Sequence, residues 1–214
     1  MMHRLFALFF AVALLVVSAS PALAQEEFKP LFNGKDLTGW KTFLKDDKAD
    51  PAKTFVVKNG EIQVTGFPNG YVYTDKAYKN YVLQYAWTYP KDQPEKTTMN
   101  TGCLMHIHEP HKVWPHCVEP QGRYKDHGKL FFMGFAKDAK TESKFDEEAL
   151  KKAVKPSHEW NTTEVTANAD GSIEVRVNGT LVSTGKSPLT DGAIGFQSEA
   201  ARVHFKDIKI KERK

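Results

Sequence analysis

Short runs of alternating or continuous apolar residues, each cut off within a few positions by a turn signal, fill most of this chain. Alternation with a period of two is the pleat of a half-buried β-strand, and such frequent interruption leaves little room for long helices. Candidate strands cover 54–58, 61–65, 71–74, 81–89, 102–108, 114–121, 129–135, 160–167, 172–177, 181–184, 193–197 and 203–211. Asn59-Gly60 and Asn178-Gly179 fit two-residue hairpins, because both residue types tolerate the positive φ those turns require. Ala169-Asp170-Gly171 supplies a third tight connection. Residues 145–154 read as the one helix, with acids in the first turn and lysines later, as the helix dipole favours, and Pro156 stops it. The polar approach to it, 137–143, makes it a loop insertion. The sum is all-β: one antiparallel two-sheet sandwich around one core, with no internal repeat and no interdomain linker.

The N-terminus carries a different signal. Met1-Met2-His3-Arg4 leads into an apolar run from Leu5 to Val17, and Ala22-Leu23-Ala24 follows with no acid before Glu26. A basic start, a short apolar core and an A-x-A end read as a secretory signal peptide over residues 1–24. The run falls short of the ~20 apolar residues a bilayer span needs. The expected product is a periplasmic or secreted protein, residues 25–214, with no membrane span. Losing Arg4 lowers the formal net charge from +4 to +3. That balance is mild and the lysines are dispersed, so nucleic acid is not an expected partner.

Chemistry concentrates in the middle of the chain. Five of the 8 histidines (His106, His108, His111, His116, His127), both cysteines (Cys103, Cys117), Glu109 and Glu119 lie between Asn100 and Gly128. Histidine exchanges protons near neutral pH and is the commonest metal ligand. Alternation puts Cys103, Met105 and Ile107 on one face of their strand and Leu104, His106 and His108 on the other. In the next strand Cys117, Glu119 and Gln121 share a face opposite His116 and Val118. Pairing of the two strands would bring His106, His108, Glu119 and Gln121 together on the open side of a sheet, with Trp114 at its edge. The cysteines then point to opposite faces, which disfavours a Cys103–Cys117 disulfide in an oxidising compartment and leaves the pairing open. Gln197, among small and apolar residues, reads as a satisfied core amide.

Several segments together resemble a bacterial family of 3-keto-disaccharide hydrolases, 3-keto-glucoside 1,2-lyases and their partner hydratases. They are F-K-P-L-F-N-G-K-D-L-T-G-W at 28–40, Y-V-Y-T at 71–74, Y-V-L-Q at 81–84 and Asn100-Thr101-Gly102. Trp114-Pro115 with Glu119 and Gln121, E-W-N-T at 159–162, D-G-A-I-G-F-Q at 191–197 and V-H-F-K-D-I at 203–208 complete the series. The resemblance covers the whole chain after the leader and implies a concanavalin-like jelly roll. Three positions depart from the family pattern. Pro120 interrupts the E-x-Q strand, which implies an edge or a bulge there; His116 follows W-P where arginine is usual; and F-R-N-I has become F-K-D-I.

The resemblance implies an enzyme on a small 3-keto sugar that cleaves by elimination, adds water, or does both for net hydrolysis. Such chemistry needs a base near neutral pKa, a group to hold an enolate oxygen and an acid for the leaving group. Glu119 and His106 are the expected proton carriers, and Asn100, His108, Trp114 and Gln121 the expected substrate contacts. His106 and His108 are the candidate ligands if a divalent ion takes part. The E-x-D-x-x-E strand of sandwich-fold glucanases is absent, which disfavours an ordinary glucanase. A non-catalytic carbohydrate-binding module and a structural envelope domain are the competing classes; turnover of a 3-keto glycoside separates them from an enzyme.

Overall fold

Alternation of this kind can bury its apolar face only against a second sheet, and the chain does so. A computed structural model describes residues 27–93 and 98–214; the leader expected at 1–24 lies outside them. In chain order the strands are β1 (Lys29–Pro30), β2 (Trp40–Leu44), β3 (Phe55–Lys58), β4 (Glu61–Val64), β5 (Gly70–Thr74), β6 (Tyr78–Lys79), β7 (Tyr81–Thr88) and β8 (Cys103–His108). They continue as β9 (His116–Pro120), β10 (Leu130–Met133), β11 (Glu142–Phe145), β12 (Asn161–Ala167), β13 (Ser172–Val177), β14 (Thr180–Lys186), β15 (Asp191–Ser198) and β16 (Val203–Glu212). A 9-stranded sheet runs β11-β14-β13-β12-β7-β16-β4-β3, with β1 beside β16. A 7-stranded sheet runs β10-β9-β8-β15-β5-β2, with β6 beside β15. Among the described residues no helix is long and apolar enough to cross a membrane.

The core lies between the sheets. Leu83, Tyr85 and Trp87 of β7 and Phe205 of β16 face Met105, Val118 and Phe196 of the smaller sheet. The Phe196 ring lies 5.0 Å from Tyr85 and 4.6 Å from Phe205, centroid to centroid. Both Asn-Gly hairpins carry the expected positive φ, at Asn59 and Gly60 and at Asn178 and Gly179. Cys103 and Cys117 are free and buried, on opposite faces of the smaller sheet.

Several elements escaped the pattern. β2 packs beside β5 from within a segment whose turns and apolar residues mask its alternation. β11, E-S-K-F, offers only Phe145 to the core and is an edge strand paired with β14, so it shows no alternation. After the single helical turn α1 (Pro51–Thr54), the expected helix, α2 (Glu147–Ala153), starts later than the pattern implied: Phe145 ends β11, and the Asp146 carboxylate caps α2 by accepting from Ala149 N at 2.8 Å. Pro120 does not mark an edge. β9 lies between β8 and β10, and Pro120 is its last residue, where one missing donor costs the ladder little. The bulge is instead in β8, where the register with β9 shifts between Met105 and His108.

Phe196 is fully buried at the contact of the two sheets. Phe196→Ala is expected to lower the unfolding free energy by about 3–5 kcal/mol in a urea titration.

Candidate functional site

Side chains on the outer face of the 7-stranded sheet are set by the same registers that build the core. Tyr71 pairs with Phe43 on one side and Gln197 on the other, Gln197 N donates to Gly102 O at 2.9 Å, and Gly102 bridges to Gln121. Tyr71, Gln197, Gly102 and Gln121 therefore form one row across the sheet, spaced at roughly 4.8 Å. Glu119, two residues before Gln121 on the same face, leans over Gly102. A Cβ at that glycine would stand 2.1 Å from Glu119 Oε1 and 2.4 Å from Gln197 Oε1. The absent side chain is what lets the carboxyl and the amide meet over the strand.

Glu119 is only 5% exposed, yet among the described residues no donor bonds its carboxyl. Burial pushes its pKa up from 4.5 to about 8, and the neighbouring carboxylates Glu199 and Asp126 push the same way. At neutral pH it is mostly protonated. Beside it, neither the oxygen nor the nitrogen of the buried Gln197 amide has a partner, and Asn100 Oδ1 is also unpaired. The Asn100 side chain lies beside Glu199, whose pKa burial raises. Phe131 of β10 sits directly across the ladder from Glu119 and is 37% exposed. Met99, next to Asn100, and Arg123, just past Gln121, with Tyr124 and Lys129, line part of a separate cleft of about 690 Å³.

The other wall of the face is aromatic. Tyr71, Leu104, Ile107 and Cys117 pack as a small outer cluster, joined by Phe43 and Tyr73. The segment after β8 folds back over them. There His111 lies 4.5 Å from the Tyr73 ring, centroid to centroid. Its Nδ1 shares a hydrogen bond with the Tyr71 hydroxyl at 2.8 Å, and its Nε2 approaches Glu109 Oε1 at 3.0 Å.

The expected constellation is therefore divided. Glu119, Gln121 and Asn100 do come together. His106 does not join them, because the extra residue in β8 reverses the alternation. His106 adopts φ 57° and turns into the sandwich, edge-on to Tyr81 with ring centroids 5.7 Å apart. Its Nδ1 bonds Leu189 O at 2.9 Å, and burial lowers its pKa to about 4. His108 is on the wrong end of the strand: six residues from Gly102 is about 20 Å along β8. There its Nε2 bonds Asp191 O at 2.8 Å. Trp114, 42% exposed, precedes His116, the partner of His108, and so belongs to that far end as well. The residues present do not form a metal-holding set. Among the described residues no three His, Cys, Asp or Glu converge, and His106 and His108 each spend one ring nitrogen on a main-chain carbonyl.

Gln197 was misread as a satisfied core amide; it follows the core residue Phe196 and so faces outward. Its place in the D-G-A-I-G-F-Q segment was the signal available for it. Tyr71 and Tyr73 stood likewise in Y-V-Y-T. Nothing in the sequence marked Glu199, and His111 stood out only as one of the clustered histidines; both are brought in by loops.

Residues 27–211 match the model of a family described as the 3-keto-alpha-glucoside-1,2-lyase-like domain. No curated protein matches the chain. Among solved structures, a Parabacteroides distasonis protein provisionally described as a glycosyl hydrolase is 24% identical over 87% of this chain and 94% of its own, with a TM-score of 0.62. The Bacillus subtilis carbohydrate binding module CBM66 covers 83% of this chain and 98% of its own at 13% identity, TM-score 0.54. A Bacillus licheniformis β-glucanase covers 90% and 100% at 13% identity, TM-score 0.53. The likenesses establish the fold, a jelly-roll sandwich that serves enzymes and binders alike, and with the family match they support a carbohydrate-active protein.

The raised pKa of Glu119 has a sign that can be read in stability. In the unfolded chain the group ionises near pH 4.5, and in the folded protein near pH 8. The folded state therefore loses stability as pH rises from about 4.5 through 8. Glu119→Gln mimics the protonated form, so its melting temperature should match the parent's near pH 4 and exceed it near pH 9. A constant difference across that range would contradict the buried, protonated carboxyl.

Proposed function

Because the chain belongs to the 3-keto-alpha-glucoside-1,2-lyase-like family, we propose that it is an exported enzyme cleaving 3-keto glycosides, with Glu119 as the proton carrier. The observation that carries this reading is the Glu119 carboxyl. It is buried and without a protein donor, and it stands beside a Gln197 amide with both ends unspent. Buried polar groups are normally satisfied, so a place where several are not is a place prepared for a ligand.

The chemistry follows from the ketone. A carbonyl at carbon 3 of a sugar acidifies the hydrogen on carbon 2. The ionised fraction of Glu119, a minority at neutral pH, takes that proton, and the C–H electron pair moves into an enolate across carbons 2 and 3. As the ketone re-forms, those electrons make a double bond between carbons 1 and 2, and the bond from carbon 1 to its substituent breaks with its pair on the departing oxygen. The proton on Glu119 then goes to that oxygen. Adding water across the new double bond completes net hydrolysis. A group of pKa about 8 suits both halves of the cycle, because acid-base catalysts work best when their pKa lies near the operating pH. The amides of Gln197, Asn100 and Gln121 are the groups to hold the hydroxyls and the enolate oxygen. Phe131, opposite Glu119, offers a face for a sugar ring.

Export rests on the leader at 1–24, so the secreted protein should begin at Gln25 by intact mass. The decisive assay is release of free sugar from a 3-keto glucoside. Losing a general acid or base typically lowers rate 10²–10⁴-fold, and Glu119→Gln should fall by about that much while remaining folded. A folded variant with parental turnover would remove Glu119 from the mechanism. Tight sugar binding with no turnover by the parent would make the protein a binding module.

A further inference from the structure

On the opposite side of the sandwich, the outer face of the 9-stranded sheet carries a groove of about 660 Å³. It crosses the strands, from Arg176 on β13 over β12, β7 and β16 to Phe28 and Pro30 at β1. Four strand spacings make that path roughly 19 Å. Its floor is low because Ala86 and Thr162, cross-strand partners, are small where their neighbours are long. One wall is a prebuilt turn. Asn33 Oδ1 accepts from Lys35 N at 2.7 Å and from Asp36 N at 3.0 Å, and Gly34 packs against Gly60. The other side is edged by Gln84 and Glu164, hydrogen-bonded at 2.6 Å, and by Arg176.

Between floor and wall, β16 bulges. Its register with β7 shifts between Lys206 and Lys209, and Asp207 takes φ 51°. Bulges re-aim side chains and gather near binding sites. Three stretches singled out in the sequence and unused by the Glu119 site meet here: the F-K-P-L-F-N-G opening, Thr162 of E-W-N-T, and Asp207 of F-K-D-I.

We propose that this groove is a second saccharide site, a non-catalytic one that takes a short neutral oligosaccharide. Its charges cancel: Arg176 and Lys209 against Glu164 and Asp207. A charged ligand would gain nothing from such a lining, whereas a polyol can both donate to and accept from it. Amide, carboxylate, guanidinium and hydroxyl groups spaced along a transverse trough match the vicinal hydroxyls of successive sugar rings. The length suits several rings in line rather than one. This site does not rest on the reading of Glu119. It would hold a chain at a distance from the reacting face, as a tether.

The test is an amide NMR titration of the protein with cellotriose and with maltotriose. At least one should produce saturable shifts at Ala86, Thr162 and Gly179. Ala86→Phe fills the floor and Arg176→Gln removes a rim donor; each should weaken that binding by about tenfold, a loss of ~1.4 kcal/mol. Glu119→Gln should leave it unchanged. If Ala86→Phe does not fold, Arg176→Gln decides alone. The proposal is overturned if neither trisaccharide shifts the groove amides, if the shifts survive in the folded variants, or if trigalacturonate binds more tightly than the neutral sugars. Because the groove amides are read directly, loss of 3-keto glycoside turnover leaves this result standing.

Discussion

The packing of Phe196 between Tyr85 and Phe205 holds the two sheets together and, by doing so, aims the site. Consecutive strand residues point to opposite faces. Once Phe196 is committed to the core, Gln197 must stand on the outer face beside Gly102 and Glu119. Cys103 and Met105 fix β8 in the same way, so that Gly102 and Leu104 floor the outer surface. A slip of one residue in either strand would trade core for site along its whole length. The site is therefore only as well placed as the core is tight.

The electrostatics of Glu119 come from burial winning over solvation. Among the described residues the charged groups that shift it are other carboxylates, Glu199 and Asp126, and these reinforce the effect of burial. Arg123 could have offset it, but its guanidinium is committed to Asp126, at 2.7 Å from Nε and 2.5 Å from Nη2. The buried histidines show the mirror image. His106 and His127 are held neutral by the same desolvation, their pKa values lowered to about 4. His127 stacks on Trp87 at 4.1 Å and bonds Thr163 at 2.7 Å, which makes it a core polar group. A dense run of histidines in sequence thus becomes two interior rings, one aromatic-wall ring at His111, and a cross-strand pair, His108 and His116, toward the other end of β8.

The sandwich separates two kinds of surface. The outer face of the smaller sheet gathers unspent polar atoms around one carboxyl, an arrangement suited to reacting with a ligand. The outer face of the larger sheet presents paired, charge-balanced groups over a shallow floor, suited to holding one. That both binders and glucanases share this architecture fits a scaffold whose two faces can be furnished independently.

The fold was legible because a strand's period is local. Alternation, Asn-Gly turns and the acidic-to-basic gradient of α2 identified most elements and the two-sheet class, and the same alternation placed Glu119 with Gln121. Edge strands such as β11 escaped because one apolar residue, Phe145, and hydrogen bonds to β14 hold them rather than an alternating apolar pattern. His106 was misplaced for a deeper reason. A bulge is a relation between β8 and its neighbours, and one inserted residue flips every side chain that follows without leaving a mark in the chain's own pattern. The sequence by itself determined the strands, the hairpins and which carboxylate and amides were candidates. Tertiary structure alone decided that Glu119 is buried over a missing side chain, that Gln197 faces it, and that the histidines part company. Burial, register and pKa are properties of neighbours, and those neighbours come from distant segments of the chain.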